Sequence, residues 1–246
     1  MSGPAAVIAV TSLSLEARIA LGPGVSVICG RASHIVSRLQ AAIGRGALGI
    51  ISFGVAGGLA PDLATGDCVI GSGVHTEYER YPADRRWSRR LLESIPGSVH
   101  AEIAGVDAPI AQSSEKVRLH ARTGAKAVDM ESHIAARIAS RHNIPFAICR
   151  TIIDPAVRDL PPAAVIDLRD DGTPDVPAIL HSVMHERNQI PALVRIAIDA
   201  WTARKALLRD RQLLGAGLGC PYFDERASEP VRVGVFAMTQ LRPTGP

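Results

Sequence analysis

Short, largely apolar runs alternate with stretches of helical periodicity along this chain, and that alternation constrains its fold more than any other feature. Ala5 to Val10, Val25 to Cys29, Leu48 to Phe53 and Pro145 to Thr151 have the length and composition of strands buried on both faces. Asp67 to Ile70, Val99 to Ala104 and Ala127 to Met130 read as further strands. Helices are expected between them over Ser14 to Leu21, Arg31 to Ile43, Asp84 to Ile95, Ser113 to Arg122 and Ser132 to His142. Strands alternating with helices imply an α/β fold: a single-domain three-layer sandwich with a mixed, mostly parallel central sheet. In such folds the loops at the carboxyl ends of strands gather the chemistry. Attention therefore falls on the residues after Val10, Cys29, Phe53, Met130 and Arg150.

Asp154-Pro155 ends the regular pattern. Residues 154–177 read as irregular, and two helices follow over Ala178 to His185 and Ile190 to Leu208. From Gly215 the pattern fades, so we expect a catalytic domain over 1–214 and a loosely held tail over 215–246. The 246 residues, 47% hydrophobic, suffice for one core. A net charge of +3 without a long basic tract, and 4% aromatic residues, argue against nucleic acid as a partner. Cysteines at 29, 68, 149 and 220 lack the spacing of a metal knuckle and suit a reducing cytoplasm. The chain starts without a charged leader, and Gly46 to Pro61 is too short and glycine-rich for a membrane span. A cytoplasmic location, at most peripheral to the membrane, is expected.

Several motifs fail on context. The G-x-G-x-x-G string at 44–49 follows a helix and opens a strand, the reverse of a dinucleotide fingerprint. His181 and His185 lack the order of a zinc-protease helix, and Asp170, Asp171 and Asp175 lack the rest of a calcium loop. The nucleophile elbow G-x-S-x-G is missing. No cofactor or metal is expected.

Three acids stand at better positions. Glu16 lies beyond the first strand, Glu131 follows AVDM, and Asp154 follows AICRTII. Ionised groups avoid unpaired burial, so carboxylates ending apolar strands hint at a pocket. The bland alternative for each is an acid at a helix N-terminus, favoured by the dipole. Residue chemistry alone reaches an acid-lined pocket and names no substrate.

The strings SFGVAGGLAPDLATGDCVI at 52–70, GAKAVDMESHIAARIA at 124–139 and FAICRTIIDPA at 146–156 together resemble the nucleoside phosphorylase and nucleosidase superfamily. VDMESH with LPPAAV at 160–165 is similar, more narrowly, to its hopanoid-associated group, which is implicated in releasing adenine from adenosylhopane. The resemblance implies cleavage of a purine N-ribosyl bond. It places Glu131, beside Met130, on the ribose hydroxyls, Asp154 as proton donor to purine N7, and Glu16 as the acid that activates water. Gly57 in the glycine stretch and the run Ala108, Pro109 and Ile110 would lie against the substrate.

Gly30 and Arg31 occupy the place where phosphorolytic relatives hold phosphate, so inorganic phosphate stays open as a co-substrate. Hydrolysis is preferred, because Glu16 is present and Ser52 to Gly57 lacks the phosphorolytic arginine and serine. The same likeness implies a homo-oligomer and a lipid-linked adenine nucleoside. Methylthioadenosine or adenosylhomocysteine is the alternative substrate. Arg80 to Arg90, with Trp87 and Leu91 four residues apart, suggests contact with anionic membrane, against the plainer reading that both apolar residues face the core.

Overall fold

A computed structural model of the chain describes residues 6–30, 32–164, 173 and 190–228. Its strands are β1 (Val7–Thr11), β2 (Val25–Cys29), β3 (Gly49–Gly58), β4 (Cys68–His75), β5 (Arg80–Pro82), β6 (Val99–Gly105), β7 (Ala127–Asp129) and β8 (Phe146–Asp154). The helices are α1 (Ser14–Ala20), α2 (Ala32–Ile43), α3 (Arg85–Ser94), α4 (Ser113–Thr123), α5 (Ser132–Arg141), α6 (Ile190–Leu214) and α7 (Pro221–Ser228). Five of the eight strand pairings described are parallel and three antiparallel. The sheet runs β2-β1-β3-β7-β6-β4-β5, and β8 pairs with both β3 and β4. The strands β3, β8, β4, β6 and β7 thus close a ring, so the sheet is mixed and partly barrel-like.

The central strands are apolar on both faces because both faces are covered. Along β1 the side chains alternate with period two. Ile8 and Val10 pack with Ile35 and Leu39 of α2 and Ile134 and Ile138 of α5. Val7 and Ala9 pack on the other side, with Ile19 of α1, Trp87 and Leu91 of α3, and Leu207 and Leu214 of α6. This is the expected three-layer α/β arrangement in one core. Full burial of each such side chain is worth roughly 1.5–3 kcal/mol.

At four points the structure corrects, decides or adds to the expectations. The third strand does not end at Phe53, because β3 runs on through the glycine stretch to Gly58. Trp87 and Leu91 are fully buried, and Trp87 Nε1 donates to the Leu218 carbonyl, so both apolar residues of α3 face the core. The chain does not loosen at Gly215: Leu218 and Cys220 are in the core, and Arg86 of α3 reaches Glu225 of α7 at 2.5 Å. The short edge strand β5, antiparallel to β4, was not foreseen. The helix expected over Ala178 to His185, the residues His181, His185, Asp170, Asp171 and Asp175, and the tail beyond 228 lie outside the described residues. Among those described, no helix is long and apolar enough to cross a membrane.

Candidate active site

Strand β8 carries a charge where its neighbours are apolar. Arg150 is fully buried between β3 and β4, and a guanidinium cannot shed its charge, so it must be paired. Its Nε lies 2.6 Å from Asp129 Oδ2, an ion contact off the line of a good hydrogen bond. One terminal nitrogen donates to Ser52 Oγ at 2.6 Å and to Glu131 Oε2 at 3.1 Å; the other donates to the Val55 carbonyl at 3.2 Å. Ser132 Oγ donates to Asp129 and also meets Ser52 Oγ at 2.8 Å. Burial alone would lower the Arg150 pKa, but Asp129, Glu131 and Glu16 hold it above its ordinary value. For Glu131, burial is the leading cause of a pKa pushed up to about 7; Arg150 opposes it, and Asp129 and Glu16 add to it.

The helix-end reading of the acids separates them. Glu16 sits in the first turn of α1, and its Oε2 accepts the backbone N–H groups of Ser12 and Leu13 at 3.0 and 2.8 Å. It also crosses to β3, where Oε1 accepts the Val55 N–H at 2.7 Å. Asp129, not Glu131, caps α5, by accepting from Ser132 N at 2.9 Å. Glu131 stands at the N-cap position without a side-chain cap bond, so its carboxylate is free to turn to Arg150. Gly54 is required for this closure. Its φ is +149°, and a β-carbon there would come 2.5 Å from Glu16 Oε1 and 2.9 Å from the Arg150 guanidinium.

Asp154 ends β8 after a bulge. Ala56 faces Ile152 and the next residue, Gly57, faces Asp154, so Ile153 is the extra residue that re-aims the strand end. Gly57 leaves room there, since a β-carbon would come 3.4 Å from Asp154 Oδ1. Asp154 Oδ2 pairs with Lys116 of α4, whose side chain is wholly buried. Burial raises the Asp154 pKa although Lys116 and Arg158 pull it down.

Glu131 and Asp154 meet on one cavity of about 260 Å³, which Met130, Gly57, Pro109 and Ile110 also line. The predicted residues Glu131, Asp154, Met130, Gly57, Pro109 and Ile110 therefore come together. Glu16 borders the cavity through its partners Ser12, Leu13 and Val55. Ala108 does not join them; it is exposed beside the cavity-lining Pro109. Gly30, with φ +137°, forms the turn after β2 and donates to the Thr11 carbonyl at 3.4 Å. Arg31 lies outside the described residues.

Sequence reasoning missed Asp129, Arg150, Ser52 and Lys116 as members of the site. For Arg150 a signal was available: a lone cation inside an apolar strand demands a buried anion nearby.

The sequence profile of the phosphorylase superfamily matches residues 18–185, more than half of the chain. No protein of curated function matches it in sequence. Among solved structures, the fold resembles the 5′-methylthioadenosine/S-adenosylhomocysteine nucleosidase of Campylobacter jejuni at 15% identity and a TM-score of 0.56, covering 83% of this chain and 99% of that one. It also resembles the futalosine hydrolase of Helicobacter pylori, at 16% identity and TM-score 0.55, over 74% of this chain and 98% of that one. The S-adenosylhomocysteine nucleosidase of Streptococcus pyogenes matches at 17% identity and TM-score 0.54, over 64% and 87%. These findings correct the narrower resemblance to the hopanoid-associated group: the likeness runs to nucleosidases acting on small nucleosides, and adenosylhopane is withdrawn as the substrate.

Proposed function

Because this chain belongs to the phosphorylase superfamily and is an enzyme acting on a purine nucleoside, we propose that it hydrolyses the N-glycosidic bond of a small 5′-substituted adenosine, of the methylthioadenosine or adenosylhomocysteine type, and releases adenine. The observation that carries this reading is the shared cavity, with Glu131 and Asp154 on its wall. Breaking the bond leaves positive charge on the sugar and negative charge on the base. Asp154, as the acid, gives a proton to the purine ring and neutralises the departing base. Glu131 has one oxygen held by Arg150, which leaves the other for the ribose hydroxyls. A carboxylate fixed there interacts more strongly as the sugar becomes cationic, so it favours the transition state over the ground state.

Water as the nucleophile is supported by the local charge. Glu16, Asp129 and Glu131 surround a single guanidinium, and Lys116 is paired with Asp154. A phosphate dianion entering between them would meet like charge, and among the described residues the two cations there, Arg150 and Lys116, are already engaged.

The test is incubation with methylthioadenosine and with adenosylhomocysteine, with and without phosphate, following free adenine and the sugar product. We expect adenine and the free sugar in both buffers. A strict requirement for phosphate, with a sugar 1-phosphate as product, would replace hydrolysis by phosphorolysis. Absence of adenine from either substrate would overturn the substrate class.

A further inference from the structure

Lysine is seldom fully buried, and Lys116 is buried completely in the first turn of α4. Its ammonium has three N–H donors, and each has an acceptor: Asp154 Oδ2, the Pro155 carbonyl at 3.2 Å and the Arg158 carbonyl at 3.0 Å. Two of these only tie down the loop after β8. The third touches the carboxyl that faces the cavity, and by the same bond fixes which oxygen of Asp154 remains for a ligand.

We propose that Lys116 is the positioning residue of the reaction: it holds Asp154 by one oxygen, aims the other into the cavity, and stabilises the carboxylate left when Asp154 gives up its proton. This deepens the proposed function and rests on Asp154 being the proton donor. In the step concerned, the C1′–N9 bond breaks and its electron pair goes to the base. The proton passes from the Asp154 carboxyl to the base, and Asp154 is left as an anion against the Lys116 ammonium, which keeps its own protons.

Among the described residues, the charged groups around the pair are few. Arg158, on the loop after β8, bears on Asp154, and it is itself paired with Asp199 of α6. Asp159, on the same loop, accepts from Ser113 N at the start of α4. On α4 itself, Glu115 is half-exposed and Arg118 exposed, and the two pair with each other. Among the described residues, Lys116 is therefore the cation in contact with Asp154.

Removing the ammonium makes Asp154 a weaker acid that keeps its proton to higher pH. For Lys116→Met we expect kcat to fall about 10- to 100-fold, less than the whole contribution of a positioned acid, with KM within about threefold. The alkaline limb of the pH–rate profile should move up by about one unit or more. Lys116→Arg keeps the charge and should leave that limb near its wild-type place. In an Asp154→Asn background, Lys116→Met should cost nothing further in kcat.

An unmoved alkaline limb in folded Lys116→Met, or a full further loss in the Asp154→Asn background, would reduce Lys116 to a strut between α4 and β8. If Lys116→Met does not fold, Lys116→Gln carries the same test, because its amide can still reach the loop carbonyls without supplying charge. Full activity in Asp154→Asn alone is a different result, since it removes the acid rather than its partner.

Discussion

The two ends of the cavity solve opposite electrostatic problems with one strand. At the Arg150 end, one guanidinium is shared by Asp129 and Glu131, with Glu16 acting through its charge, so negative charge is in excess. At the Asp154 end, one ammonium faces one carboxyl, and the charges balance. The first arrangement suits a fixed anion waiting for a developing cation. The second suits a group whose proton leaves and returns. A buried cation shared among several acids holds in place the group that would meet the sugar; a single cation suffices for the group that would give up its proton.

The difference can be broken most severely at Arg150. Arg150→Met would leave Asp129 and Glu131 buried without their cation, and breaking a buried pair costs about 3–5 kcal/mol. Chemical denaturation should show that loss, and activity should vanish with it. Wild-type stability would mean the acids are neutral and the network is not ionic.

At the other end, Asp154→Asn keeps the shape but removes the acid. Turnover should drop roughly 10²–10⁴-fold with little change in stability, as read by steady-state adenine release and thermal melting.

Glu131→Gln should act more mildly. Weakening a charged hydrogen bond of about 1.5–3 kcal/mol corresponds to about 10- to 100-fold in kcat/KM. The pH dependence sharpens the contrast. Glu131 must be ionised to accept the ribose hydroxyls, and burial sets its pKa to about 7, so wild-type kcat/KM should rise with pH through that region. In Glu131→Gln this acid limb should be gone. In its proposed role Asp154 must be protonated, so its titration, raised from the ordinary value by burial, governs the alkaline limb. A profile with no acid limb near 7 in the wild type would show that the two ends are not distinguished by protonation.

The smallest effect is expected at Gly54. Gly54→Ala places a methyl group against Glu16 and the Arg150 guanidinium at a positive φ. A strained backbone position of this kind costs about 1–3 kcal/mol. Melting should fall accordingly, while the alkaline limb set by Asp154 stays where it was.

Much of this architecture was legible in the residues, for reasons that also explain what was hidden. The apolar runs and helical stretches announced a covered sheet because both faces of the central strands are buried, and burial is what composition records. Glu131 and Asp154 stood out because carboxylates ending apolar runs are costly without partners. The partners were harder to see. Lys116 and Val117 are adjacent on α4, and hydrophobicity would turn Val117 inward; the structure does the reverse, with Lys116 buried and Val117 59% exposed. Only the carbonyls of a distant loop and Asp154 make that inversion favourable, and a helical pattern carries no trace of them. Similarly, the third strand was expected to end at Phe53, because the glycines at 54, 57 and 58 break the pattern. The strand runs on through them, and the absent side chains of Gly54 and Gly57 let Glu16, Arg150 and Asp154 lie against it. The weakly patterned stretch after Gly215 is ordered through 228 by contacts made by single residues, such as the Leu218 carbonyl bonded to Trp87, which leave no periodicity.

Arg150 and Asp154 belong to the same strand, and that strand is laced to a neighbour on each side. Four residues at about 3.3 Å each set their α-carbons no more than about 13 Å apart, and the ladder forbids much stretch. With the proposed roles, the strand is a rigid ruler across the sugar–base axis. Evolutionary change in what the enzyme accepts has to come from the loops beyond the ruler's ends, so ligands that differ at the 5′ position should be easier to gain than ligands with a longer reach from ribose to base.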